Sequence, residues 1–336
     1  MSVTIKDVAL EAGVSTATVS RVLSGKDTVS MRMRDRVLSS VEGLGYRPNA
    51  LARSLREETS KTLGLVVSNV MNPFFTAVAR AVEDAASEKG YSVILCNADE
   101  SPDKEASYLD VLFQKRVDGL IISPARTSSP QLQSFVSSGV PVVFVDRTIE
   151  DLGIPTVRVD GRKAIEELVE HLLKLGHERL AVISGPPETV PGGDRLKAFL
   201  ACAAERGAEI PEEYVRFGDF RRESGRQAMR ELLRLRCPPT AVFAANNLMC
   251  LGALQAVKET DVRVPEDVSI ASFDDIVWFE LTQPPVTAIA QPVRELGNAT
   301  AEMLLGMIEK AREPESLIIE AELIVRDSCG PPPASQ

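Results

Sequence analysis

The amino-acid sequence predicts an all-α head followed by an α/β core of two doubly wound lobes with parallel sheets. Apolar residues recur at helical spacing within the first 46 residues. From Leu63 onward, short apolar runs alternate with amphipathic helices, and a second series of this kind follows Thr156–Asp160. Such alternation is typical of parallel sheets covered by helices on both faces. The 336 residues are enough for two or three domains.

The stretch Thr4–Gly25 predicts two short helices joined by a tight turn. Thr4 and Asp7 have the spacing of a capping box, Gly13 supplies the turn and Ser15 caps the second helix. Residues of the second helix that point away from its apolar stripe, or lie in its exposed first turn, are Thr16, Ala17 and Arg21. This pattern favours a helix-turn-helix whose second helix enters the DNA major groove. The alternative is an ordinary helical hairpin with a solvated polar face.

A third helix is predicted from Ser30, its cap, to about Leu44. Its expected inward residues are Val37, Leu38, Val41 and Leu44, and its expected solvated residues are Arg32, Arg34 and Arg36. The three helices form a domain of fewer than fifty residues. After Pro48, the segment Asn49–Leu55 has the length of two helical turns, and we expect it to order only against another surface.

The uneven charge distribution is compatible with a nucleic-acid partner. The net charge is −10, but residues 1–61 hold ten Lys or Arg against seven Asp or Glu. The basic segment is where phosphate contacts are needed. No apolar signal segment and no run of about 18 apolar residues is present, which predicts a cytoplasmic protein with no membrane partner. The five cysteines lack CxxC spacing and are expected to be reduced packing residues.

Polar and aromatic residues recur where the predicted strands end. Ligands of open α/β sheets bind at the carboxyl ends of the strands. The residues at or near these ends are Asn72, Phe74, Phe75, Asp146, Arg147, Arg195, Phe220, Asn246, Asp274 and Gln291. Carboxylates, guanidinium groups and amides suit a polyhydroxylated ligand, and aromatic rings cover the apolar face of a sugar.

Catalysis is disfavoured, although Asp146 and Asp274 are a conceivable acid and base. The sequence has no GxSxG elbow, P-loop, HExxH motif or GxGxxG after the first strand. We therefore predict a protein that is not an enzyme and that needs no metal and no cofactor.

The sequence resembles the LacI family of bacterial transcriptional regulators over essentially its whole length. The motifs that carry the resemblance are TIKDVALEAGVSTATVSRVLSG, YRPNALARSL, NPFF, KRVDGLIISP, VDR, GHERLAVISG, AANNLMCLGAL and FDD. The resemblance implies a homodimer with two heads, hinge helices and a core like that of periplasmic sugar-binding proteins. It also implies three crossings between the lobes, near Asp160–Gly161, Gln291 and Ala321. A free sugar-transport protein would share the core but not the head.

The domain boundaries that follow are a helix-turn-helix domain at 1–46 and a hinge helix with linker at 47–60. The N-terminal effector subdomain comprises 61–160 with 292–320, and the C-terminal effector subdomain comprises 161–291 with 321–329. The last helix is expected at about Pro292–Arg312, and 330–336 are expected to form a disordered tail.

The resemblance assigns Thr16, Ala17 and Arg21 to base reading and makes Leu55 a wedge in the minor groove of a palindromic operator. The full DNA-binding set that it implies is Thr4, Ser15, Thr16, Ala17, Thr18, Ser20, Arg21, Tyr46, Asn49, Ala52, Arg53 and Leu55.

The ten strand-end residues match the set used by ribose-binding proteins and ribose-type repressors, so the expected effector is ribose or another pentose. One departure is Asn247, where the family's usual residue is aspartate. A purine effector is disfavoured, because Thr189 and Pro191 replace the polar pair of purine repressors. We expect a nucleoid-associated repressor. The alternatives are a regulator that uses a phosphocarrier protein as corepressor and a purine- or nucleoside-responsive regulator.

Overall fold

The described residues of the head form three helices that pack around a small apolar core. The computed structural model describes residues 3–23, 29–46, 59–125, 129–311 and 313–333, which belong to two units, Met1–Ser60 and Lys61–Gln336. The first unit contains α1 (Ile5–Ala12), α2 (Thr16–Leu23) and α3 (Met31–Gly43). Its core is formed by Val8, Ala9, Ala12, Val19, Val22 and Val37.

Local hydrogen bonds fix both ends of the turn between α1 and α2. The backbone N–H and the hydroxyl of Thr4 donate to Oδ2 of Asp7 at 2.8 and 2.7 Å. Gly13 ends α1 with φ 60°, a value that glycine adopts without a steric penalty. Oγ of Ser15 accepts from the N–H of Thr18 at 3.1 Å. The predicted helix-turn-helix geometry is therefore present.

Helix α3 differs from the prediction in its outer residues. Leu38, expected inward, is 47% exposed, because Val37 holds the inward position and the next residue points about 100° away from it. Ser30 precedes α3 but makes no side-chain capping bond. Arg36 is exposed, yet its guanidinium donates to the carbonyl of Ala12 instead of being only solvated. The predicted hinge helix Asn49–Leu55 lies outside the described residues.

The second unit contains two six-stranded sheets, and the first defines the N-terminal lobe. Its strands are β1 (Thr62–Val67), β2 (Ser92–Asn97), β3 (Gly119–Ile122), β4 (Val142–Val145), β5 (Thr156–Asp160) and β11 (Leu317–Glu320). They are all parallel, in the order β11-β5-β4-β3-β1-β2. The accompanying helices are α4 (Pro73–Glu88), α5 (Pro102–Lys115), α6 (Pro130–Ser137) and α12 (Val293–Ile308).

The second sheet defines the C-terminal lobe. Its strands are β6 (Leu180–Ser184), β7 (Val215–Phe217), β8 (Ala241–Ala244), β9 (Ser269–Phe273), β10 (Thr287–Ala290) and β12 (Glu322–Ile324). Their order is β12-β10-β9-β8-β6-β7, with β12 antiparallel and the other strands parallel. The helices are α7 (Arg162–Lys174), α8 (Val190–Glu205), α9 (Arg222–Leu233), α10 (Asn247–Lys258) and α11 (Val277–Glu280). The two lobes confirm the predicted fold class.

The chain passes between the sheets three times, after β5, between β10 and α12, and between β11 and β12. Helix α12 ends at Ile308, not near Arg312. Lys310 takes a left-handed φ of 54°, and the N–H of Ala311 donates to the carbonyl of Gly306 at 3.0 Å. Such a backward hydrogen bond closes the last turn of a helix.

Gly330, the first residue of the predicted disordered tail, is held by buried hydrogen bonds. Its carbonyl accepts from the buried His177 and Ser269 side chains at 2.9 and 3.2 Å. Its N–H donates to Oγ of Ser269 at 3.0 Å. Residues 330–333 therefore continue the described structure. Among the described residues, no helix is long and apolar enough to cross a membrane.

We predict that Gly252→Ala destabilises the C-terminal lobe, since α9 and α10 touch through glycines. A Cβ at Gly252 would lie 1.9 Å from the carbonyl oxygen of Arg222, and one at Gly225 would lie 2.2 Å from that of Met249. Overpacking against backbone costs about 1–3 kcal/mol, which urea unfolding will measure. The matched control is Gly43→Ala, where a Cβ meets no atom within 4 Å. Equal unfolding midpoints for Gly252→Ala and the wild type would contradict this packing.

Candidate ligand-binding site

Nine of the ten predicted ligand residues line one small cavity between the lobes, which we call the cage. Its volume is about 20 Å³. The cage is lined by Asn72, Phe74, Phe75, Glu100, Asp146, Arg147, Pro191, Arg195, Phe220, Asn246 and Asp274. The tenth predicted residue, Gln291, lines an adjacent cavity with Phe74 and Asp274, and its side-chain amide donates to Oδ1 of Asp274.

Three cage residues follow strands in a strained backbone conformation. Asp146 follows β4, Phe220 follows β7 and Asp274 follows β9, and their φ angles are 66°, 62° and 68°. Residues other than glycine avoid this region, and such strain clusters at binding and catalytic sites. At each of these three positions the left-handed conformation turns the chain sharply at the edge of the sheet. A Cβ at Gly185 would lie 2.1 Å from the Phe220 ring, so glycine there makes room for that ring.

Glu100 and Pro191 are the cage residues outside the predicted ligand set, and Glu100 is the charged one. Both terminal nitrogens of Arg147 donate to its carboxylate, each at 2.8 Å. The Arg147 side chain is only 5% exposed, and its carbon Cζ lies 5.5 Å from the centre of the Phe220 ring in the opposite lobe. Such a bidentate, partly buried pair is among the stronger polar contacts in proteins. The only sequence signal was an acidic residue shortly after a strand.

Arg195 is fixed by contacts within its own lobe. One terminal nitrogen donates to the carbonyl of Ala245 at 2.7 Å and lies 3.8 Å from Oδ2 of Asp274. Its guanidinium carbon lies 3.7 Å from the centre of the Phe273 ring. Stacking and ion pairing together hold the guanidinium group flat at the cage wall.

Asn246 and Asn247 have different roles. Nδ2 of Asn246 donates to the carbonyl of Phe220 at 3.0 Å, and its Oδ1 caps α10. Nδ2 of Asn247 donates across the lobes to Oδ1 of Asn72 at 2.9 Å. That oxygen already accepts from the N–H of Phe74 at 3.0 Å. The residue that departs from the family pattern therefore links the lobes through an amide donor, which an aspartate carboxylate lacks.

Burial raises the pKa values of two cage residues, Asp146 and Asp274. It raises the pKa of Asp146 to about 6, although the guanidinium groups of Arg195 and Arg147 oppose the shift. Burial also raises the pKa of Asp274, against the opposing charge of Arg195 and the hydrogen bond from Gln291. A hydroxyl-rich ligand could donate to these carboxylates and accept from the guanidinium groups.

The predicted base-reading side chains lie on the open surface of the head unit. Thr4, Ser15, Thr16, Ala17 and Arg21 are exposed. Thr18 and Ser20 are half-buried, and Tyr46 packs against the head core. The predicted contacts Asn49, Ala52, Arg53 and Leu55 lie outside the described residues.

A helix-turn-helix head attached to a two-lobed core with a polar interlobe cage defines a ligand-responsive DNA-binding regulator. Two family models match the chain. Residues 4–49 match the model described as bacterial regulatory proteins of the lacI family. Residues 60–327 match the model described as periplasmic binding proteins and the sugar-binding domain of the LacI family. The chain belongs to the LacI family, whose members regulate transcription and are not enzymes.

Individual relatives match over nearly their full length. The repressor CytR of Escherichia coli strain K12 is 35% identical over 326 residues, covering 97% of this chain and 96% of CytR. The ribose operon repressor of Halalkalibacterium halodurans is 36% identical over 326 residues, with the same two coverages. The structure of the Lac repressor dimer bound to operator and an anti-inducer has a TM-score of 0.87 at 28% identity, covering 98% and 99% of the two chains.

We predict that Asp146→Asn stabilises the protein relative to the wild type more at pH 8 than at pH 4. A carboxylate whose pKa rises on folding favours the native state below its unfolded pKa, and that advantage disappears as the pH rises through the folded value. The free energy of unfolding of the wild type therefore falls by up to about 3 kcal/mol between pH 4 and pH 8 because of this group. Most of the fall lies between the unfolded and folded pKa values of Asp146, 3.8 and about 6. The asparagine variant lacks this loss.

Urea unfolding of both proteins across this pH range gives the measurement. The matched control is Asp151→Asn, which removes an exposed carboxylate from the same lobe. A difference between Asp146→Asn and the wild type that stays constant from pH 4 to pH 8 would show that Asp146 does not titrate in this way.

Proposed function

We propose that the chain is a repressor whose operator affinity is set by a small sugar, ribose or another pentose, bound in the cage. The observation that carries the proposal is the convergence of nine predicted ligand residues from both lobes on one cavity. Carboxylates and guanidinium groups alternate around it, and Phe74 and Phe75 meet edge to face at 5.0 Å beside them. This combination matches the hydroxyls and the apolar face of a sugar ring.

The size of the cage supports a link between binding and lobe movement. About 20 Å³ is room for roughly one water molecule, which is less than a pentose requires. A sugar therefore binds with the lobes further apart than they are here. Ligand contacts that differ between two lobe arrangements shift the equilibrium between them. The three chain crossings are the places where such movement occurs, and the hinge helix Asn49–Leu55 is the proposed switch toward DNA.

The purine alternative has less support. The hydroxyl of Thr189 donates to the carbonyl of Pro186 at 2.7 Å and accepts from the N–H of Gly192 at 3.2 Å. Pro191 lines the cage without a side-chain polar group. Neither residue offers the hydrogen bonds that a nucleobase edge needs. The other alternative, a regulator that uses a phosphocarrier protein as corepressor, is tested by operator binding. The regulator proposed here responds to the sugar without a second protein.

In the cell, the proposed repressor acts as a homodimer on a palindromic operator in the nucleoid. Two heads at fixed half-site spacing read two half-sites. Arg21 donates to a guanine edge, the methyl groups of Thr16 and Ala17 meet thymine methyls, and Leu55 enters the minor groove.

The test is a thermal-shift screen of the full chain against pentoses, hexoses, their phosphates and nucleosides. A palindromic operator is first selected from a random DNA pool, and every hit is then assayed for operator binding. We expect ribose or another pentose to raise the melting temperature and to change operator affinity without a second protein. A response to nucleosides alone, or a requirement for a phosphocarrier protein, contradicts the proposal.

We also predict that Leu55→Ala weakens operator binding at least tenfold and leaves sugar affinity unchanged. The leucine side chain supplies the wedge that kinks the operator, whereas the cage lies in the second unit. Gel-shift titration measures the first effect and calorimetry measures the second. The matched control is Leu10→Ala, at a side chain of α1 that is 85% exposed. Equal operator affinity of Leu55→Ala and the wild type would refute the wedge.

A further inference from the structure

Arg147 enters the cage with its two terminal nitrogens already occupied. Each donates to one oxygen of Glu100 at 2.8 Å. Its Nε is buried and has no hydrogen-bond partner within the described part of the chain, and it lies 3.9 Å from Oδ2 of Asp146. The guanidinium group thus presents one N–H beside one carboxylate. This donor and acceptor suit a single hydroxyl, which accepts from Nε and donates to Asp146.

Glu100 is held in place by its backbone. Asp99 and Glu100 have φ angles of 55° and 54°, so two consecutive residues adopt the left-handed conformation. The N–H of Glu100 donates to the carbonyl of Ser68 at 2.7 Å. The carbonyl of Asp99 accepts from the guanidinium of Arg221, in the opposite lobe, at 2.9 Å. This fixed turn places the Glu100 carboxylate against the fork of Arg147, by which we mean its two terminal nitrogens.

The charges around the cage are unequal. Glu100, Asp146 and Asp274 supply three carboxyl groups, and Arg147 and Arg195 supply two guanidinium groups. Arginine forks bind phosphate in the same two-pronged way in which they bind carboxylate. A phosphorylated ligand would therefore have to displace Glu100 or place its own negative charge beside the carboxylates. A neutral ligand meets neither obstacle.

We infer that Glu100 is a specificity-determining residue that restricts the cage to uncharged polyols and rejects their phosphates. The inference rests on the proposed function, since it describes which sugars the effector site accepts. Glu100 acts in two ways: it blocks the only guanidinium fork of the N-terminal lobe that faces the cage among the described residues, and it repels an incoming anion. Without Glu100, the same cage presents the fork and one fewer negative charge.

The test compares a sugar with its own phosphate in four proteins. The probes are ribose and ribose 5-phosphate, or the equivalent pair for another sugar that the thermal-shift screen identifies. The proteins are the wild type, Glu100→Gln, Glu100→Gly and the control Asp99→Asn, all as the full chain. Glycine suits the left-handed backbone of position 100, and asparagine tolerates that of position 99. Asp99 lies outside the cage lining, and its carboxylate pairs with Lys104 and lies 3.5 Å from the guanidinium of Arg221.

Isothermal titration calorimetry gives both dissociation constants for each protein. We expect the wild type and Asp99→Asn to bind the free sugar at least tenfold more tightly than its phosphate. Both Glu100 variants are expected to lower that ratio at least tenfold, chiefly by tightening phosphate binding. Melting temperatures identify any variant that fails to fold, and each of the two Glu100 variants tests the inference alone.

Two results overturn the inference while the proposed function stands. In the first, the wild type binds sugar and phosphate equally well. In the second, folded Glu100 variants keep the wild-type ratio, or Asp99→Asn lowers the ratio as much as they do. A wild type that binds no member of the sugar panel, phosphorylated or free, overturns the proposed function itself and this inference with it.

Discussion

The interaction on which the site depends is electrostatic and crosses between the lobes. Asp146 belongs to the N-terminal lobe, yet Arg195 of the C-terminal lobe is the strongest charge opposing the rise of its pKa. Each buried charge loses hydration, and only partners at close range compensate for that loss. Neither lobe alone supplies the full set of partners. The closed cage is therefore a balance of charges that exists only while the two sheet edges face each other.

This balance explains why the backbone near the cage is strained. Asp146, Phe220 and Asp274 must leave their strands abruptly to point at a common centre, and all three do so in the left-handed region. Each such residue has a conformational cost of order 1–3 kcal/mol, which the two large buried cores offset. The surrounding structure holds these strained residues in place, so their side chains are positioned before a ligand arrives. A ligand then selects among lobe arrangements, and the individual groups need little rearrangement.

Much of the fold and part of the cage could be predicted because the relevant signals are local. Continuous apolar runs predicted the buried strands, and the rule that ligands bind at carboxyl ends of strands selected nine residues that share one cavity. Glu100 could not be selected in this way. It lies in the acidic segment ADESPDKE, which the sequence alone would assign to the solvated surface. Its position also depends on two consecutive residues in the left-handed conformation, which no sequence pattern predicted.

The other misses have different causes. Gly330 is ordered because His177 and Ser269 lie beneath it, although the polar, proline-rich sequence that follows suggested disorder. Leu38 is exposed because the adjacent Val37 takes the inward position of α3, and the next residue of a helix points about 100° away. For Gly330 the packing partners decided the result, whereas for Leu38 the helical period was assigned one residue too broadly.

Asn247 links the two lobes through a single amide. Its amide donates to Oδ1 of Asn72, the same oxygen that caps α4. This oxygen therefore accepts one hydrogen bond within the N-terminal lobe and one from the C-terminal lobe. A carboxylate at position 247 could not donate, and Asn72 would have to rotate and abandon its cap. An amide also does not titrate, so this contact between the lobes is insensitive to pH. The cage residues whose pKa values burial raises are Asp146 and Asp274, so pH acts on the cage through these two carboxyl groups.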